Sequence, residues 1–69
     1  MRTQESFDRA MDRVRWYVDC HKSPVWLVPA KDGYLVVITE PKSEQLPSGT
    51  RAIQYGPELV ELASVEARK

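Results

Sequence analysis

Cys20 and His21 are adjacent, and they are the residue types that bind metal ions or form nucleophile and base pairs. They are the only cysteine and the only histidine in the chain. Adjacent residues of a helix point about 100° apart, so these two side chains cannot converge on one ion. No further ligand completes a zinc site, and no residue stands out as an orienting group for a catalytic thiol. We therefore expect no enzymatic activity, metal or cofactor, and we interpret His21 as a helix-end residue at the rim of the core.

Charged residues surround this pair without forming a site of one sign. Asp8, Asp12 and Asp19 share one helix flank with Arg15, which we interpret as a solvated face rather than an acidic recognition strip. Ten basic and ten acidic residues leave no net charge, whereas a nucleic-acid binder normally carries clustered basic excess. The three glycines are isolated, so no glycine-rich phosphate loop exists. A small nucleic-acid-binding transcriptional regulator is the alternative function, and the balanced charge makes it the weaker of the two.

Trp16 is the residue most suggestive of binding. It falls on the far side of the predicted helix from the apolar stripe, with Arg9 and Arg13 one to two turns before it and Cys20 one turn after it. Tryptophan and arginine are enriched at binding hot spots. Packing of the indole under a loop or on arginine stems is the competing interpretation. We predict a partner-binding surface of these four residues, either a dimer seam or a surface for a foreign protein.

The element that positions these residues is an N-terminal amphipathic helix ending near His21. Thr3 or Ser6 is the predicted cap, with Thr3 preferred, and Ser23-Pro24 ends the helix because proline disfavours the α conformation of the residue before it. The apolar stripe recurs at three- and four-residue spacing. It comprises Phe7, Ala10, Met11, Val14, Tyr17, Val18 and His21.

A β-hairpin follows, with Val25–Val28 and Tyr34–Ile38 flanking the turn Lys31-Asp32-Gly33. A three-residue loop would place Val28 opposite Val36, whereas a two-residue Asp-Gly turn would shift the pairing by one. The three-residue loop predicts two faces. One face is Trp26, Val28, Ala30, Tyr34, Val36 and Ile38, and the other is Val25, Leu27, Pro29, Leu35, Val37 and Thr39.

Neither face of this hairpin is polar, so both faces must be covered. The first helix can cover one face. The face containing Leu27, Leu35 and Val37 is then either core, covered by a second helix, or a dimer face. Because a short chain has little material for covering both faces, a homodimer is the favoured assembly.

Two further elements are predicted after a polar surface loop over residues 40–49. Residues 50–55 alternate as a third strand, with Ile53 and Tyr55 on one face and Ala52 and Gln54 on the other. Gly56-Pro57-Glu58 is typical of a helix start, which predicts a short C-terminal helix. Residues 58–66 are too short for periodicity to decide, and a fourth strand is the alternative.

The 69 residues are thus interpreted as one small α+β domain, 1–69, with a helix packed on an antiparallel sheet. The lone thiol fits a reducing cytoplasm. The polar N-terminus lacks the apolar segment of a signal peptide, and no apolar run approaches the roughly 20 residues that cross a membrane. We expect a cytoplasmic protein that binds itself and a second protein.

In length and general layout the chain resembles small accessory proteins of temperate bacteriophages, some of which bind and block host regulators. The anti-activator type, which neutralises a quorum-sensing transcription factor, is the nearest comparison. No residue motif carries this resemblance, so no functional position transfers from it. It implies a dimeric, non-enzymatic inhibitor that masks the DNA-binding or dimerisation surface of a host activator.

Overall fold

A computed structural model describes residues 6–68 of the chain. Over that range the protein has one α-helix, one four-stranded antiparallel sheet and two short 3₁₀ turns. The elements are α1 (Phe7–His21), β1 (Val25–Ala30), β2 (Gly33–Val37), a 3₁₀ turn (Ser43–Gln45), β3 (Arg51–Tyr55), a second 3₁₀ turn (Pro57–Leu59) and β4 (Glu61–Glu66). The predicted α+β class, with a helix on a small antiparallel sheet, is confirmed. Among the described residues, no helix is both long enough and apolar enough to cross a membrane.

The helix α1 begins and ends close to the predicted positions. Ser6 has an extended backbone and is the N-cap, so the helix starts one residue later; the preferred cap Thr3 lies outside the described residues. At the other end Lys22 adopts a left-handed conformation, and its N–H donates to the carbonyl of Val18 at 2.9 Å. This closing bond satisfies a carbonyl that the helix itself leaves unpaired.

The sheet has the strand order β2-β1-β3-β4, with every neighbouring pair antiparallel. The hairpin and the third strand are therefore confirmed. The strands β1 and β3 lie inside the sheet, and β2 and β4 form its edges.

The hairpin register differs by one residue from the predicted one. Ala30 pairs with Gly33, so only Lys31 and Asp32 lie in the turn. Shortening a hairpin loop by one residue moves every side chain of the second strand to the other face. The β1 residues are divided between the faces as predicted, but those of β2 are exchanged. Leu27 consequently does not share a face with Leu35 and Val37, which lie opposite Val28 and Trp26.

The predicted short C-terminal helix is wrong, and the alternative fourth strand is correct. Pro57 starts a single 3₁₀ turn, after which β4 pairs with β3 from Glu61 opposite Tyr55 to Glu66 opposite Arg51. Glu58 and Leu59 have left-handed backbones and do not continue a right-handed helix, and the ladder with β3 then pairs the β3-facing backbone groups of Glu61–Glu66. Tertiary pairing thus overrides a weak local preference.

Each face of the sheet has its own apolar core. On the face beneath α1, the buried residues are Ala10, Val14, Val18, Val25 and Leu27. On the opposite face, the buried residues are Trp26, Val28, Leu46 and Ala52. Three of the α1 stripe positions are therefore buried as predicted, while Met11 and Tyr17 are partly buried and Phe7 is half exposed.

The second face is covered by the loop over residues 38–50 rather than by a second helix. Leu46 reaches down from this loop and is 6% exposed against Trp26 and Val28. The loop is shaped by the 3₁₀ turn and by the Thr50 hydroxyl, which donates to the carbonyl of Pro47 at 2.6 Å. The Arg68 N–H donates to the Ser43 carbonyl at 3.3 Å and ties the loop to the chain end.

Candidate partner-binding surface

Trp16 lies on the outer side of α1 and is 56% exposed. Its ring meets the ring of Tyr17 edge-to-face at a centroid distance of 5.3 Å and that of His21 at 5.6 Å. Such geometries are the favourable ones between aromatic rings. The indole therefore packs edge-on against two neighbouring rings, while Trp16 as a residue is more than half exposed to solvent.

The aromatic contacts extend this surface toward the end of the sheet. Tyr17 and His21 are themselves 5.4 Å apart, and both line a depression of about 510 Å³ with Ile38. Ile38 follows β2 and is 72% exposed. We call Trp16, Tyr17, His21 and Ile38 the aromatic surface. It joins one side of α1 to the end of the hairpin.

A second, shallower depression of about 470 Å³ lies on the other side of the indole. It is lined by Arg9, Asp12, Arg13 and Trp16. Its lining thus combines the indole with two guanidinium groups and one carboxylate. The predicted association of Trp16 with Arg9 and Arg13 is thus present as a shared depression, and Cys20 lies exposed on the same helix.

The ring contacts of Trp16 and the participation of Ile38 were not found by sequence reasoning. Tyr17 and His21 were assigned to the apolar stripe, although their positions one turn apart at the helix end were a usable signal. The hairpin pattern predicts that Ile38 lies on a covered face. The strand β2 ends at Val37, so Ile38 lies beyond the strand and is exposed.

An apolar groove of about 660 Å³ lies on the sheet face opposite α1, between the hairpin and the loop. Its apolar lining includes Val28, Leu35, Val37, Pro41, Leu46 and Pro47. Leu35 is 42% exposed there. Of the three residues predicted for a dimer or core face, Leu27 is buried beneath α1, while Leu35 and Val37 line this groove.

The described residues hold no buried polar or charged side chain and no group of three or more potential metal ligands. Burial raises the pKa of the Tyr55 hydroxyl, and the Glu61 carboxylate raises it further, while Arg51 acts in the opposite direction. Tyr55 is the last residue of β3, where it pairs with Glu61 of β4, and it packs against the core beneath α1.

Comparison of this chain with protein-family models, with curated proteins and with solved structures finds no match. Its function is therefore inferred from the geometry of its surfaces.

Proposed function

We propose that this protein is a non-enzymatic binding module that recognises another protein through the aromatic surface. The observation that carries the proposal is an exposed Trp16 that packs edge-on against two rings. An aromatic side chain that is ordered before binding loses little conformational entropy when it is covered, which is how hot-spot residues gain affinity.

The surroundings of Trp16 have the composition of an interface. Apolar area continues from the indole through Tyr17 and His21 to Ile38, and Arg9 and Arg13 border it. An apolar centre with a polar rim is the usual anatomy of a protein–protein contact. The Arg9 guanidinium on this rim favours a partner that offers an apolar side chain bordered by a carboxylate.

The resemblance to phage accessory proteins makes a bacterial transcriptional activator, of the quorum-sensing type, the first class of partner to test. In this proposal the protein acts in the cytoplasm of a bacterial host. It inhibits the activator by covering a surface needed for DNA binding or dimerisation.

The proposal is tested by capturing partners from nuclease-treated bacterial lysate with three tagged proteins: the wild type, Trp16→Ala and the control Leu62→Ala. Leu62 is 52% exposed on β4, so the control removes a comparable apolar side chain elsewhere. A captured protein is then purified, and its affinity is measured at low and high salt by calorimetry. A blue shift of tryptophan emission on binding that is absent in Trp16→Ala reports that this indole is covered.

We expect Trp16→Ala to weaken binding about tenfold or more, and Leu62→Ala to change it less than about twofold. Salt should have a modest effect, since a partner bound through phosphates would lose affinity steeply as salt rises. Equal affinity of the wild type and Trp16→Ala would contradict the proposal.

A further inference from the structure

The two edges of the sheet differ in charge. The strand β4 carries Glu61 and Glu66 at its two ends, whereas β2 reads Gly33-Tyr34-Leu35-Val36-Val37 and carries no charge and no proline. Natural proteins protect exposed edges with charges, prolines, bulges or covering segments, because unpaired backbone groups bind other strands. The edge at β2 has neither charge nor proline.

We propose that two copies of this chain pair through their β2 edges, antiparallel and about a two-fold axis, to form one continuous eight-stranded sheet. Each copy contributes its four strands in the order β2-β1-β3-β4, so the two β2 strands meet at the centre. The charged β4 edges then lie at the two outer ends, where they limit further growth of the sheet.

The side chains of β2 are compatible with this pairing. When the axis passes beside Leu35, Leu35 faces the partner's Leu35, and Tyr34 faces the partner's Val36. All pairs formed within Gly33–Val37 are uncharged, so no like charges meet. This register also brings the exposed Leu35 beside its own copy, which continues the apolar lining of the groove across the axis.

A two-fold axis through the strand pair runs perpendicular to the sheet, so both α1 helices lie on the same face of the dimer. The aromatic surface of each copy therefore faces the same side. This last point rests on the proposed function, whereas the pairing of the β2 edges does not.

The first test is the mass of the wild-type protein in solution by sedimentation equilibrium over a range of concentrations. The expected mass rises to twice the 7.9 kDa of one chain. Leu35→Glu should give a monomer, because it places two carboxylates together at the axis. Leu62→Glu, the same change on β4, should stay dimeric. Circular dichroism and tryptophan emission show that each variant is folded.

A second test does not depend on a charged variant. In a Cys20→Ser background, a single cysteine is introduced by Leu35→Cys or by Leu62→Cys. Paired β2 strands lie about 4.8 Å apart, while the two β4 strands are seven such spacings, about 34 Å, apart. Leu35→Cys should form a disulfide-linked dimer on mild oxidation, and spin labels at Leu62→Cys should report the long distance.

A wild-type protein that is monomeric at every concentration would overturn the pairing and leave the β2 edge for a strand of another protein. A dimer that Leu62→Glu dissociates but Leu35→Glu does not would also overturn it, by placing the interface on β4. A dimer lost in Trp16→Ala but kept in Leu35→Glu would place the seam on α1. That last result would overturn the pairing, and partner capture by the wild type would still test the binding function.

Discussion

At the scale of single residues, Glu58 and Leu59 adopt left-handed backbone conformations in succession, with φ of 62° and 58°. Each non-glycine residue in this region costs roughly 1–2 kcal/mol. The conformation lets the Leu59 N–H donate to the Gly56 carbonyl at 2.9 Å and turns the Leu59 side chain onto the core beneath α1. Packing of Leu59 against the helix therefore offsets the backbone strain in the turn between β3 and β4.

Because Glu58 is exposed, its strain can be relieved without loss of packing. Asparagine tolerates the left-handed region better than glutamate does, so Glu58→Asn should raise the free energy of unfolding by about 0.5–1 kcal/mol. Urea unfolding measures the change. The control is Glu44→Asn, also exposed but at an unstrained position, which should change stability by less than about 0.5 kcal/mol. Equal effects of the two changes would mean that no strain is stored at Glu58.

Tyr55 makes the stability depend on alkaline pH. Its pKa in the folded protein lies above the unfolded value of 10.0, chiefly because burial disfavours the charged form. The folded state holds this proton more tightly, so the contribution is complete below the unfolded pKa and is lost as pH rises through the folded pKa. The free energy of unfolding should fall as pH rises above the unfolded pKa of about 10, and fall less in Tyr55→Phe.

Urea unfolding across this pH range measures both proteins. Glu61→Gln should also reduce the fall, because it removes the charge that adds to the effect of burial, and Glu66→Gln serves as its matched control on the same strand. Identical pH dependence of Tyr55→Phe and the wild type would contradict a role for this hydroxyl.

At the scale of elements, the parts with strong local signals could be predicted from the sequence. The helix α1 has a long periodic stripe and a proline after its end, and the hairpin has two apolar runs around a turn. The register of that hairpin and the state of residues 61–66 could not be predicted. Both depend on backbone pairing with other strands, and a turn of two or three residues around Asp32 satisfies the same local pattern.

The candidate surface was predictable to the same degree. Helical phase is enough to place Trp16 away from the core, with Arg9 and Arg13 beside it. The ring contacts to Tyr17 and His21 depend on side-chain rotamers, and the exposure of Ile38 depends on where β2 ends. Residue spacing predicts neither the side-chain rotamers nor the end of the strand.

The loop over residues 38–50 covers one sheet face through Leu46. Among these thirteen residues, all of them described, Leu46 alone is buried. Leu46→Ala should lower the free energy of unfolding by about 2–3 kcal/mol, because it removes apolar contact and leaves a cavity beside Trp26. The measurement is urea unfolding in a Trp16→Phe background, so that emission reports Trp26. Ser48→Ala, an exposed change in the same loop, should have little effect. A similarly small effect of Leu46→Ala would show that the loop does not close this face.

At the scale of the whole molecule, the proposed dimer predicts bivalent binding. Two aromatic surfaces on one face can engage a two-fold-symmetric partner together, and linkage of two sites raises apparent affinity without new contacts. On a surface densely coated with partner, Leu35→Glu should dissociate about 10²-fold faster than the wild type. Leu62→Glu, which should stay dimeric, should dissociate as slowly as the wild type. When the partner is free in solution and in excess, each aromatic surface binds a separate partner molecule, so all three proteins should bind with equal affinity per site. Equal dissociation rates on the coated surface would mean that the two surfaces do not act together.

The two faces of the sheet are closed by covers of very different strength: a fifteen-residue helix on one side, and a loop holding one buried side chain on the other. Backbone amides of the loop should therefore exchange with deuterated solvent through small openings that leave α1 and β1 intact. Amides of β1 should exchange only when the whole domain unfolds. The protein can then expose Trp26 and Val28 transiently while α1 keeps its place, so the face opposite the helix is where a protease or a chaperone first gains access.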